Sequence, residues 1–127
     1  MSRKVEELIP EMQGKARSFA VAMAEAGIPF MWTCTYRPQS EQDALYAQGR
    51  TAPGRKVTWT LHSKHTERVA FDIAILKDGK PTWDVKVSVD GDSIPDYEEA
   101  GKIGEGLGLV WGGRWNTPDY PHFEWAG

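Results

Sequence analysis

The sequence predicts a small single domain of the α+β class, in which helices flank a central antiparallel sheet. The length of 127 residues suits one hydrophobic core. Helix-like and strand-like patterns occur in turn, and the clearest is a hairpin around Asp78-Gly79. No repeat, linker or low-complexity stretch divides the chain. We therefore expect one domain over residues 1–127, with an N-terminal helix in residues 1–27 and a core in residues 28–127.

The first predicted element is an amphipathic helix over residues 2–26. Its apolar residues recur at spacings of three and four: Val5, Leu8, Met12, Ala16, Phe19 and Met23. Pro10 and Gly14 are unfavourable inside a helix and predict a kink or a split. Gly27 is a suitable stop for this helix.

A strand, a short helix and a loop are predicted next. Residues 28–37 are rich in aromatic and β-branched side chains, which favour a strand. Residues 38–50 predict a short helix that Ser40 caps and Gly49 ends. Residues 50–62 combine proline, glycine and basic side chains, and they predict a loop.

The C-terminal half predicts the rest of the sheet. Residues 70–89 predict a β-hairpin with its turn at Asp78-Gly79. Residues 93–108 predict a helix that begins at Ser93 and Pro95. Two short strands are expected to close the chain, over residues 109–113 and 122–125.

Composition argues against several kinds of partner. The net charge is −3 and the basic residues are scattered, so a nucleic-acid partner is not expected. The one cysteine, Cys34, lies in an apolar strand, which indicates a core residue, and it fits a reducing compartment or a protein made there and released later. The N-terminal segment carries charge throughout, without a signal-peptide core or a membrane span. We therefore expect synthesis and folding in the cytoplasm, without stable membrane insertion.

The candidate metal site combines two histidines with an aspartate. Asp72 interrupts the apolar run "VAFDIAIL" and, if buried, needs a partner or a metal, although an aspartate at a strand edge facing water is the simpler interpretation. His65 precedes this strand and His122 lies near the C-terminus, and each alone is an ordinary histidine. Together they form a usual ligand set for catalytic zinc, with a fourth position left for water. His62 is placed outside this set.

A zinc hydrolase also needs a general base, and a cation for a carboxylate or an oxyanion. Asp119, three residues before His122, is one candidate base. Glu124, two residues after His122 and on the same strand face, is a rival. Arg37, at the end of the first predicted strand, is the candidate cation. Each of the three also fits a solvated surface charge.

Motifs for other catalytic chemistries are missing from the sequence. There is no HExxH zinc-protease motif and no GxSxG nucleophile motif. The glycines of "GEGLGLVWGG" do not follow a strand and lack the lysine of a phosphate-binding loop. The two histidines and the aspartate therefore remain the main catalytic candidates.

Two motifs resemble those of a known superfamily. "SKHTERVAFD", residues 63–72, is similar to the SxHxxGxAxD motif of the zinc D-alanyl-D-alanine carboxypeptidases and the L-alanyl-D-glutamate endopeptidases. "DYPHFEW", residues 119–125, resembles the second motif, in which an acid three residues before a histidine is the catalytic base. "YRPQSEQDALYAQGR" and "WGGRW" resemble the bacteriophage endolysin branch. The resemblance extends from about Phe30 to the C-terminus.

The resemblance implies a role for each matched residue. It implies that His65, Asp72 and His122 bind zinc and that Asp119 is the general base. Arg37 matches an arginine that anchors substrate and stabilises the transition state. Two further matches are substrate-binding positions: Ser63 and Gln42. The implied fold is the Hedgehog-like α+β domain of the zinc D-Ala-D-Ala peptidases.

One position departs from the first motif. The glycine of that motif is replaced by Arg68 in this sequence. If the glycine serves a positive φ angle, an arginine there is strained. The loop is reshaped there or activity is lost, and we expect a reshaped loop because every ligand and the proposed base remain, with the Arg68 side chain as an added cation at the rim of the site.

The resemblance implies a peptidoglycan endopeptidase that hydrolyses the L-Ala–D-Glu bond of the stem peptide during host lysis. We expect a monomer that reaches the wall from the host cytoplasm once the membrane is permeabilised. Four tryptophans are candidate groove walls, with at least half of them expected in the core: Trp59, Trp111, Trp115 and Trp125. Two alternatives remain open, a D,D-carboxypeptidase acting on D-Ala-D-Ala and a non-catalytic zinc- or peptide-binding module.

Overall fold

The computed structural model describes residues 1–58 and 60–127, and its five strands form one antiparallel sheet. The strands are β1 Phe30–Cys34, β2 Ala70–Lys77, β3 Lys80–Thr82, β4 Leu109–Trp111 and β5 His122–Trp125. Neighbouring strands follow the order β1-β2-β5-β4, and β3 pairs with β2. The helices are α1 Pro10–Glu25, α2 Gln39–Ala47 and α3 Asp96–Gly106. The predicted α+β class with a central antiparallel sheet is confirmed.

The alternation of side chains along β2 separates the hydrophobic core from the opposite face of the sheet. Phe71, Ile73 and Ile75 share one face, while Asp72 lies on the other. All three apolar side chains are fully buried. Phe123 on β5 is paired with Phe71 and joins the same apolar layer. The sheet therefore has one apolar face, and Asp72 lies on the face away from it.

Helix α1 covers the apolar face of the sheet. The ring centroid of Phe19 lies 5.3 Å from that of Phe71 and 5.0 Å from that of Phe123. Met12 and Met23, on the same face of the helix, are also fully buried. Burial of each such side chain stabilises the fold by about 2 kcal/mol. This packing gives the strands that carry the site a rigid support.

Two helices begin later than predicted, and a proline precedes or opens each of them. Pro10 is the first residue of α1, where its missing N–H breaks no hydrogen bond. The segment before it forms only a short 3-10 turn, Val5–Glu7, so the helix does not extend back to residue 2 and the predicted split occurs at Pro10. Pro95, not Ser93, immediately precedes α3. Gly27, with a φ of 74°, follows the end of α1 as predicted.

The second strand of the predicted hairpin is much shorter than expected. Asp78 and Gly79 have positive φ angles of 54° and 77°, as a tight hairpin turn requires. The strand β3 nevertheless ends at Thr82. Beyond it, the N–H of Asp84 donates to Oγ1 of Thr82 at 3.2 Å, and Oδ1 of Asp84 accepts the N–H of Lys86 at 3.0 Å. These local bonds replace strand pairing.

Smaller differences occur at other element ends. The strand β1 is shorter at both ends than the predicted range 28–37. Pro38, not Ser40, precedes α2. A 3-10 turn, Gly112–Arg114, replaces the predicted end of the strand β4. In the described part of the chain, no helix combines the length and apolar character needed to cross a membrane.

Candidate active site

The centre of the site is a cross-strand pair on the face of the sheet away from the core. Asp72 on β2 lies directly opposite His122 on β5, so both side chains are on the same side. Oδ1 of Asp72 lies 2.9 Å from Nδ1 of His122. Oδ2 of Asp72 lies 3.2 Å from Nε2 of His65. One carboxylate therefore bridges two imidazoles that are far apart in the sequence.

A tight turn before β2 positions His65. The backbone N–H of His65 donates to Oγ of Ser63 at 3.1 Å, and its carbonyl accepts the N–H of Arg37 at 3.3 Å. His65 is only 3% exposed. Its Nδ1 has no hydrogen-bond partner among the described residues. Ser63, predicted as a substrate contact, lines an open cavity beside the Asp72–His122 pair. It also shapes the turn that presents His65.

Glu124 contacts the second nitrogen of His122. Because residues two apart on a strand share a face, Glu124 lies beside His122 on β5. Its Oε1 lies 2.9 Å from Nε2 of His122. His122 is thus held between two carboxylates, Asp72 at Nδ1 and Glu124 at Nε2. The glutamate considered as a rival base is engaged with a predicted metal ligand.

The charges of this cluster favour an added cation. Burial disfavours the charged imidazole of His122, but hydrogen bonds to Asp72 and Glu124 outweigh it and raise its pKa to about 9. Burial likewise disfavours ionised Asp72, but hydrogen bonds with His122 and His65 hold its pKa well below the usual range. The cluster therefore places the ionised carboxylate of Asp72 beside the imidazole of His122. Together these two groups favour a bound positive charge, either a proton or a metal ion.

The donor set fits a transition-metal ion. One ligand atom from each of His65, Asp72 and His122 lies within 4.8 Å of the others. Two imidazole nitrogens and one carboxylate oxygen are ligands that zinc accepts, and three protein ligands leave a position for water. The contact between Glu124 and His122 is of the kind that fixes the tautomer of a metal-binding histidine. The predicted ligands thus meet at one point that could hold a metal ion.

Asp119 lies in the turn before β5 and lines the same cavity. Its N–H donates to the carbonyl of Gly112 at 2.8 Å, and its own carbonyl accepts the N–H of His122 at 3.2 Å. Burial, followed by the nearby negative charge of Asp72, raises the pKa of the Asp119 carboxyl. A raised pKa suits a carboxylate that takes up and releases a proton.

Sequence reasoning missed the part played by Gly112. A Cβ added to Gly112 would lie 2.5 Å from the backbone oxygen of Asp119 and 3.2 Å from Cβ of His122. Only a glycine allows the two turns to approach this closely. The stretch "WGGRW" carries the signal, but the sequence does not show which segment approaches it.

Arg37 is held at the cavity by Gln42. One guanidinium nitrogen of Arg37 donates to Oε1 of Gln42 at 2.8 Å, and Nε of Arg37 is buried without a hydrogen-bond partner among the described residues. Nε2 of Gln42 donates to the carbonyl of Thr60 at 2.7 Å. Gln42 is fully buried and orients Arg37, and its role in substrate binding stays a prediction.

The candidate residues surround one open cavity of about 930 Å³. Arg37, His65, Asp72, Asp119 and His122 all line it. Its volume is in the range of a site for a small ligand or a peptide segment. These residues are spread along the sequence from the first strand to the last, and in the structure they line the same cavity.

One of the candidate tryptophans forms a wall of this cavity. Trp115 is 41% exposed, and its ring centroid lies 5.2 Å from that of His122. Trp111 is buried, and Trp125 packs against the core, so neither is a groove wall. Trp59 lies outside the described residues.

The expected cation at the rim of the site is wrong for Arg68, whereas the expected backbone strain at this position is present. Arg68 has a φ of 63° and so keeps the left-handed conformation that favours glycine. Its guanidinium lies 2.7 Å from a carboxylate oxygen of Glu7 and 3.7 Å from the ring centroid of Tyr36. These contacts offset the backbone strain. They also direct the side chain to the N-terminal segment, and Arg68 does not line the cavity.

This fold and this cluster define a class of enzyme, and comparison with known proteins agrees. Residues 56–125 match the family described as D-alanyl-D-alanine carboxypeptidase. The chain belongs to this family of metallopeptidases and is an enzyme. It is 37% identical over 122 residues to the peptidoglycan L-alanyl-D-glutamate endopeptidase CwlK of Bacillus subtilis (strain 168). That match covers 93% of this chain and 73% of CwlK.

Two solved structures have the same fold. The L-Ala D-Glu endopeptidase ChiX of Serratia marcescens is similar with a TM-score of 0.69 and 21% identity, over 96% of this chain and 83% of ChiX. The LD-carboxypeptidase LdcB is similar with a TM-score of 0.68 and 16% identity, over 100% of this chain and 64% of that chain. At these identities the likeness establishes the fold alone.

Proposed function

We propose that this chain is a zinc-dependent peptidoglycan endopeptidase that hydrolyses the L-Ala–D-Glu bond of the stem peptide. The observation that carries the proposal is the bridging of His65 and His122 by Asp72, in the same cavity as Asp119. The similarity to CwlK, a peptidoglycan L-alanyl-D-glutamate endopeptidase, supports this choice of bond. The two imidazoles and the carboxylate support zinc as the metal.

In the proposed reaction, the metal ligands and the nearby Asp119 have different roles. When bound, zinc would supply an acidified water and polarise the scissile carbonyl. His65, Asp72 and His122 hold the metal. Asp119 accepts a proton from the attacking water and delivers it to the leaving amine, a task that its raised pKa supports.

Arg37 supplies the positive charge for the substrate. Its guanidinium lies at the cavity, is oriented by Gln42 and keeps a buried Nε without a partner in the described part of the chain. A carboxylate of the D-Glu residue, or the oxyanion that forms during hydrolysis, is a suitable acceptor. The cavity would take the stem peptide as an extended chain, with Trp115 as one wall.

The second candidate activity is that of a D,D-carboxypeptidase, which the description of the matched family favours. The same ligands and base would serve both reactions. The two differ in the bond placed at the metal and in whether a free carboxyl terminus must be bound. Only the products distinguish them.

The proposal includes a biological setting. The enzyme acts as a monomer and serves host lysis, reaching the wall from the cytoplasm after the membrane is permeabilised. The resemblance of "YRPQSEQDALYAQGR" to the bacteriophage endolysin branch supports this role. Expression in bacteria with and without a membrane-permeabilising protein tests it, because lysis is expected only with both. Lysis by the enzyme alone would contradict the proposed route.

The deciding experiment is a digest of purified peptidoglycan, with product termini identified by mass spectrometry. New D-Glu amino termini, lost with a chelator and restored by zinc, are expected. Release of free D-Ala would instead establish the carboxypeptidase. Absence of any product from zinc-loaded protein would favour a non-catalytic binding module.

A further inference from the structure

A second cluster of carboxylates lies in the loop before α3. Oxygens of Asp90, Asp92 and Glu99 lie within 4.8 Å of one another. Burial and the nearby charges of Asp90 and Asp92 raise the pKa of the carboxyl of Asp96, the first residue of α3. In the described part of the chain, none of these four carboxylates forms an ion pair with a lysine or an arginine. The cluster therefore concentrates negative charge without a cation from the protein.

The buried oxygen of Asp96 points to a ligand for this cluster. Asp96 is fully buried, and its Oδ2 accepts the N–H of Val89 at 2.6 Å. Its Oδ1 has no hydrogen-bond partner among the described residues. A buried carboxylate oxygen beside a second carboxyl group is costly unless a cation or a proton lies between them.

The chemistry of the cluster indicates which cation it suits. Every side-chain donor is an oxygen, which favours a hard cation such as calcium and disfavours zinc. The oxygen-bearing residues follow the ligand spacing of a calcium-binding loop that runs into a helix: Ser88, Asp90, Asp92, Asp96 and Glu99. Ser93 occupies the glycine position of that loop, and the positive φ, 79°, occurs at Gly91 instead.

We propose that Asp90, Asp92, Asp96 and Glu99 form a calcium site distinct from the His–Asp–His site. A bound ion would neutralise the crowded carboxylates and tie the loop to the first turn of α3. The loop is already fixed there by the N–H of Asp96, which donates to the carbonyl of Val87 at 2.7 Å. Calcium is therefore expected to stabilise the folded chain, whatever bond the enzyme cleaves.

The test is titration of the zinc-loaded full chain with calcium chloride, followed by calorimetry and thermal unfolding. We expect one calcium per chain and a rise in Tm of about 5 °C or more at saturation. Magnesium chloride should give a smaller rise, because magnesium requires a stricter geometry. Absence of binding up to about 10 mM, weaker than the weakest class of calcium modules, would overturn the proposal.

Matched variants locate the bound ion. The double variant Asp92→Asn/Glu99→Gln should lose binding and the rise in Tm, while Glu98→Gln, which removes one charge from the same helix, should keep both. Calcium binding that persists in the double variant would place the ion elsewhere and refute the site. If circular dichroism shows that the double variant is unfolded, Asp90→Asn replaces it. At least tenfold weaker binding is then expected, and unchanged affinity would refute the proposal.

Discussion

Asp72 and His122 are directly paired across two neighbouring antiparallel strands, with Oδ1 of the aspartate 2.9 Å from Nδ1 of the histidine. The pairing register fixes this contact, since a slip of one residue in β5 would turn His122 toward the core and leave Asp72 without its partner. The same register pairs Phe71 with Phe123 on the apolar face. Packing of the core therefore places two of the proposed ligands, Asp72 and His122.

The histidine ligands can be tested with a control on the same loop. His65→Ala should reduce zinc content to background, because one of three ligands is lost. His62 is exposed and lies outside the ligand cluster, so His62→Ala should keep zinc. Metal analysis of both purified variants checks this prediction. Equal zinc content in the two would show that the ligand set is misassigned.

Replacement of Asp119 should separate metal binding from turnover. Asp119→Asn keeps the shape of the side chain but cannot accept the proton, so kcat should fall by about 10²- to 10⁴-fold with zinc retained. Asp84→Asn, in an exposed loop, is the matched control and should keep full activity. Loss of zinc from the Asp119 variant would instead make Asp119 a ligand.

Glu124 should act through His122 and not as the base. Its contact at Nε2 resembles the carboxylate–histidine contacts that tune metal ligands, so Glu124→Gln should weaken zinc binding by about 10- to 100-fold. Competition with a chromogenic chelator measures that change. Unchanged zinc affinity combined with abolished turnover would make Glu124 the stronger candidate for the base.

Two substitutions at Arg68 should separate strain from contact. Arg68→Ala loses the contacts with Glu7 and Tyr36 but keeps the left-handed backbone, whereas Arg68→Gly also relieves the strain. The glycine variant should be more stable than the alanine variant by about 1 kcal/mol. Urea unfolding of the two proteins measures the difference. Greater stability of the alanine variant would contradict the assigned strain.

Metal-stripped protein should lose stability as the pH rises. The pKa of His122 increases from 6.5 to about 9 on folding, because its hydrogen bonds to carboxylates outweigh burial. The folded state thus binds the proton more tightly, and this contribution is complete below pH 6.5 and lost as pH rises through about 9. Urea unfolding across that window checks this, with His122→Asn as the control. The same loss in the variant would exclude His122 as its source.

The sequence by itself determined the fold class and the main elements, and it supplied the candidate residues of the site. The apolar run around Asp72, the hairpin turn and the two motifs are local patterns, and local patterns can be recognised without coordinates. Element ends were less predictable. Proline positions and side-chain hydrogen bonds set them, as at Pro10 and Asp84.

Only the tertiary structure decided which candidates meet and what each contacts. In the folded chain, Glu124 contacts His122, and the buried Gln42 contacts Arg37. Arg68 pairs with Glu7 and lies away from the cavity. These outcomes depend on strand register and on contacts between segments that are distant in sequence. Such contacts are set by packing of the whole core, so no short stretch of sequence contains them.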